Sequence, residues 1–213
     1  MNIPLFFLIL LPLISAYPTV DNTDITRNLN GSEIFEVINA EECHEDAKRF
    51  TRCMKEFVPK EDLLKIANRE NHTKEETREF FSATKKAMAC VGEITCNPMK
   101  LSKFMIEIGI FVEENRNLVE ECLEKSSIEK LREYCTSTIS PAVSKLSADI
   151  HTSRCIASRL ECTDNDKITF LKLEFAGITV EQVSKQMKEQ GMVEVLKNFD
   201  RTFNPEDYSD IEL

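Results

Sequence analysis

The sequence predicts an all-α fold, a disulfide-stapled bundle of several helices around one central buried helix, and three features carry that prediction. The first is residues 101–122, where Leu101, Phe104, Met105, Ile108, Phe111, Val112, Leu118, Val119 and Cys122 recur at three- and four-residue steps. That spacing lines them up on one helical face. Ile106 and Ile110 widen the face until the helix is apolar on most sides, which places it inside a domain. The second feature is a set of eight cysteines, and the third is the scarcity of turn signals. Only five glycines occur, and Asn-Gly stands only at Asn30-Gly31, whereas sheets need turns of that kind. A buried strand over residues 104–112 is the rival reading, since the run is rich in isoleucine. The periodic frame on both sides favours the helix.

Residues 1–16 read as a secretory signal peptide, with a short apolar run from Leu5 to Ile14 followed by the small residues Ser15-Ala16. Residues 17–40 are polar and lack a sustained period, so they read as a flexible arm. An eight-cysteine helical domain is expected over residues 41–199, followed by an acidic C-terminal tail at 200–213. No later stretch is apolar for about 18 residues, so no membrane span is expected. The formal charge of −10 argues against nucleic acid and anionic membrane surfaces, which reward clustered lysine and arginine.

Within the domain, a first helix is expected over residues 42–57, where Cys43, Ala47, Phe50, Cys53, Met54 and Phe57 share a face. Ten residues of helix separate Cys43 from Cys53 by about 15 Å. A disulfide needs Cα atoms within about 7 Å, so these two cannot pair with each other. Pro59 ends the element, and Leu63, Leu64 and Ala67 mark a short helix after it. Thr73 and Glu76 form a capping box for a helix ending near Cys90, and Asn97-Pro98 breaks the chain before the central helix. Ser126 with Glu129 suggests a further capping box. Ser140-Pro141 reads as an N-cap with proline at the first helical position. Thr179 and Gln182 are expected to begin a last amphipathic helix stopped by Gly191, with one more short piece over 193–199.

Cys43, Cys53, Cys90, Cys96, Cys122, Cys135, Cys155 and Cys162 are an even set behind a secretion signal, which implies four disulfides with connectivity left open. No C-x-x-C pair exists and the three histidines are scattered, so no metal site or cofactor is expected. Asn30-Gly31-Ser32 and Asn71-His72-Thr73 are N-glycosylation sequons. His44 lies beside Glu42, Glu45 and Asp46, but adjacent helical residues do not face each other, and the group reads as a solvated polar face. His72 and His151 stand alone. No nucleophile elbow, H-E-x-x-H, phosphate loop or calcium loop occurs, and an enzyme is not expected. Thirteen phenylalanines stand against three tyrosines and no tryptophan. At helical spacing they read as core. The sharper alternative is an apolar pocket lined by Phe104, Met105, Ile108, Gly109, Ile110 and Phe111.

The order Cys43-x9-Cys53, then Ala-Cys90-Val-Gly-Glu-Ile-Thr-Cys96, then Cys122, Cys135, Cys155 and Cys162 resembles a large nematode family of secreted eight-cysteine α-helical domains. That family is catalogued as the nineteenth domain of unknown function. The resemblance covers residues 43–199 and rests on cysteine spacing and helical texture. It implies an extracellular helical protein whose cysteines are structural, and it carries over no catalytic position. Together these readings predict a secreted helical module that binds an extracellular protein. A carrier of a small apolar, lipid-like ligand is the alternative, and an extracellular hydrolase comes third.

Overall fold

The structure, a computed structural model, describes residues 41–59, 62, 73–209 and 211. Those residues are helical with no strand, and four disulfides staple the helices. The helices are α1 (His44–Phe57), α2 (Lys74–Val91), α3 (Asn97–Lys125), α4 (Ile128–Ser137), α5 (Lys145–Arg159), α6 (Asp164–Gln190) and α7 (Met192–Asn198). Short 3-10 turns occupy Glu41–Cys43 and Pro205–Tyr208. The leader, the arm, both sequons (Asn30 and Asn71) and the short helix expected around Leu63 lie outside the described residues.

The chain divides into two compact units, and α3 and α6 each contribute to both. Of the described residues, unit 1 holds those up to Ile110 together with 184–203, and unit 2 holds 111–183 and those after 203. In unit 1, α1 and α2 pack against each other and are joined by Cys53–Cys90, with Cα atoms 5.7 Å apart. Cys43–Cys96, at 5.1 Å, ties the start of α1 to the residue before α3. Cys43 and Cys53 therefore staple different segments, as the helical separation requires. The Thr73 capping box forms as expected. Its hydroxyl accepts from the Glu76 N–H (3.1 Å), and its own N–H donates to the Glu76 carboxylate (2.9 Å). Gly92 ends α2 with φ +65, a backbone state that penalises any side chain.

The first half of α3 is the buried rod predicted from periodicity: Leu101, Met105, Ile106 and Ile108 are each no more than 1% exposed. Leu118 departs from that expectation and is 71% exposed. Val119 and Cys122 take the inward positions there, and Leu118 lies about 100° round the helix from Val119, off the buried arc.

In unit 2, Cys135–Cys155 links α4 to α5, and Cys122–Cys162 links the end of α3 to the turn before α6, each with Cα atoms 5.8 Å apart. Around them Ile156, Ala157, Leu160, Phe170 and Leu171 form a core. Three helix starts differ from expectation. Ser126 bonds back to the Cys122 carbonyl (2.9 Å) and closes α3, while α4 starts after Ser127 without a side-chain cap. Ser140-Pro141 opens a turn, and Ser144 caps α5 through the Ser147 N–H. Thr179 sits inside α6, its hydroxyl donating to the Phe175 carbonyl (3.0 Å). The true start of α6 is Thr163, whose hydroxyl accepts from the Asp166 N–H while its own N–H donates to the Asp166 carboxylate. Gly191 stops α6 with φ +91, as predicted.

Candidate functional site

In unit 1 the most constrained polar group is Asp46, in the first turn of α1 and 6% exposed. The sequence placed it on a solvated face; burial replaces that because its partners come from the loop before α3. One carboxylate oxygen accepts from the Thr95 N–H (2.8 Å), the Thr95 hydroxyl (3.0 Å) and the Cys96 N–H (2.9 Å). The other accepts from Arg49 Nη2 (2.6 Å), which also donates to the Glu93 carbonyl. Lys103 on α3 donates to the Gly92 carbonyl (2.5 Å). Charged side chains thus satisfy the backbone of the Gly-Glu-Ile-Thr loop from both sides, and Ile94 is its buried plug. Burial by itself raises the Asp46 pKa. The Cys96 and Thr95 N–H groups, the Thr95 hydroxyl and Arg49 outweigh it and hold the carboxyl below its usual value. Glu107 behaves oppositely: burial pushes it up, and Lys103 at 3.5 Å only partly offsets that.

The residues proposed to line an apolar pocket are placed as follows. Phe104, Met105, Ile108 and Ile110 are buried, and Gly109 and Phe111 are partly buried. Within unit 1 the Phe104 ring meets Phe199 edge-on at 5.2 Å and Phe203 at 6.3 Å, and the Arg201 guanidinium lies 5.5 Å from its centroid. Asp200 pairs with Lys100, and the Lys197 carbonyl accepts from Asn97 (2.8 Å). Within unit 2 the Phe111 ring lies 5.1 Å from Tyr208, whose hydroxyl is 3.1 Å from that of Thr179. The chain's own C-terminal segment therefore packs on both rings. Sequence reading missed these contacts because Phe203 and Tyr208 are isolated aromatics in an acidic stretch and show no period.

Unit 2 presents a different surface. Arg132 Nη2 on α4 donates to both oxygens of Glu174 on α6 (2.9 and 3.0 Å), and the Ser153 hydroxyl on α5 reaches the same carboxylate at 3.1 Å. Lys145 on α5 pairs with Glu181 on α6. Tyr134 is 51% exposed, with the Arg159 guanidinium 4.7 Å from its ring centroid. Val143 and Leu146 flank the Ser144 cap and are 36% and 42% exposed. Among the described residues the exposed large apolar side chains are these three and Leu118, all in unit 2.

His44 and His151 are exposed, and neither meets a carboxylate among the described residues; His72 lies outside them. The eight cysteines are all paired, and no group of three or more histidine, cysteine or acidic side chains among the described residues could hold a metal ion. No helix among them is long and apolar enough to cross a membrane. What the fold defines is an all-helical protein stapled by four disulfides. No protein-family model, curated protein or solved structure matches the chain.

Proposed function

We propose that this chain is a secreted binding module that engages a protein partner through unit 2, the partner presenting a basic surface with apolar anchors. The observation that carries the reading is the placement of Leu118, Tyr134, Val143 and Leu146, exposed in unit 2, the unit with the larger excess of acidic over basic residues. Exposed apolar groups rimmed by charge are the usual texture of a contact patch. The net negative charge of unit 2 favours a basic partner and speeds its approach. Four disulfides suit an oxidising extracellular setting. A frame they hold rigid loses little freedom on binding. The nematode eight-cysteine family that the cysteine spacing resembles belongs to the same class of extracellular helical domain. Packing of Phe199, Phe203 and Tyr208 on the rings of α3 favours this reading over a lipid carrier.

The test is affinity capture from the native extracellular fluid with the oxidised full chain and with a Val143→Ser, Leu146→Ser double variant of unchanged circular dichroism. The reading requires a protein retained by the wild type, released by salt and lost from the variant. Equal capture by both would overturn it. A co-purifying lipid in native mass spectrometry would transfer support to the carrier.

A further inference from the structure

The seam between α5 and α6 in unit 2 has a register that isolates one carboxylate. Lys145 meets Glu181, and two turns further along α5, Ser153 meets Glu174 two turns back along α6, so the helices run antiparallel. Asp149 falls midway, one turn from each contact, against the stretch of α6 between Glu174 and Glu181. That stretch is Phe-Ala-Gly-Ile-Thr-Val and offers no cation. The two cations nearby are committed, Arg132 to Glu174 and Lys145 to Glu181. Among the described residues no hydrogen bond or ion pair ties the Asp149 side chain; its backbone carbonyl accepts from Ser153 (2.9 Å).

We propose that Asp149 is a proton-operated latch: ionised, this half-buried side chain places an unpaired carboxylate on the α5–α6 seam between the Glu174 and Glu181 contacts, and its protonation on acidification tightens the seam. The charged groups that bear on Asp149 are Glu181 and Glu174 from α6, Arg132 from α4 and Lys145 from its own helix. Burial is the largest influence and Glu181 the next, both pushing the Asp149 carboxyl above its usual value; Lys145 and Arg132 oppose them, and Glu174 adds a smaller push upward. A carboxyl whose folded value lies above its unfolded value binds its proton more tightly when folded. The stabilisation is therefore complete below the unfolded value of about 3.8 and is lost as pH rises through the folded value. Acid thus strengthens this seam, the reverse of ordinary acid denaturation.

The test follows the Asp149 carboxyl carbon by NMR titration in the oxidised full chain. Amide hydrogen exchange over α5 and α6 is read in parallel at neutral and mildly acidic pH, corrected for intrinsic rates. Asp149 should titrate above 3.8, and seam amides should gain protection on the same midpoint. Asp149→Asn, which fixes the neutral form, should raise protection at neutral pH by about threefold or more and abolish the dependence. Glu181→Gln should move the Asp149 midpoint down. A midpoint at or below the ordinary value would overturn the latch, as would an Asp149→Asn variant with unchanged or weaker protection.

Discussion

Units 1 and 2 each hold two disulfides, yet they handle charge in opposite ways. Unit 1 buries a carboxylate and satisfies it: Asp46 takes three hydrogen bonds from the Thr95–Cys96 segment and a guanidinium besides. Unit 2 keeps its charges near solvent and pairs them across helices, leaving Asp149 unmatched. The lesson concerns where electrostatics acts on stability. A charge enclosed by fixed donors defines a backbone conformation, whereas half-exposed pairs contribute little and leave the surface open for contact.

The largest effect should come from the covalent staples, and it should favour unit 1. Removing Cys43–Cys96 by paired serine substitution opens a loop with a sequence separation of 53, against 20 for Cys135–Cys155. Chain entropy for each loop taken alone then predicts about 4 kcal/mol for the first and about 3 kcal/mol for the second, measured by urea unfolding of chains in which that bridge is the only one formed, against the same chains after its removal. Equal losses would mean that loop length does not govern the difference between the units.

Next comes Asp46→Ala, which leaves the Thr95 and Cys96 donors without their acceptor and should cost about 3 kcal/mol in chemical denaturation. The pH dependence follows from its lowered carboxyl. The Asp46 contribution is present above the unfolded value of about 3.8 and is lost as pH falls through the lower folded value. Unit 1 should therefore loosen in strong acid, while the Asp149 seam of unit 2 tightens at milder acidity. Hydrogen exchange in α1 and in α5 as a function of pH should show the two trends diverging; parallel trends would erase the contrast.

Gly92→Ala tests the same loop without touching a charge. No heavy atom lies within 4 Å of a Cβ built there, so the penalty comes from φ +65 alone and should be about 1 kcal/mol by thermal or urea unfolding. The smallest effect should be Arg132→Ala. It removes a pair whose guanidinium side is 47% exposed and should cost no more than about 1 kcal/mol in the same measurement.

Much of the helical framework was legible because its signals are local. Periodicity located the buried half of α3, the Thr73–Glu76 box located the start of α2, and helix geometry forbade a Cys43–Cys53 pair. Local signals also misled where two residues compete for one role, as Ser140 and Ser144 do before α5, or where an apolar run continues through a capping-type residue such as Thr179. The features that distinguish the units were not legible. Asp46 meets donors 49 and 50 positions away, and Arg132 meets a carboxylate 42 positions away. No period in the chain encodes such pairs, because they exist only after the helices have docked. Among the described residues the pocket-lining candidates kept their burial at Phe104, Met105, Ile108 and Ile110, but Phe203, one of the rings that meets Phe104, came from a C-terminal stretch with too little apolar content to be noticed.

Peptide mapping of the non-reduced protein tests the division into two separately stapled units most directly. The account predicts four linked peptide pairs: Cys43 with Cys96, Cys53 with Cys90, Cys122 with Cys162, and Cys135 with Cys155. A free thiol, or any link joining one of the first four cysteines to one of the last four, would contradict it.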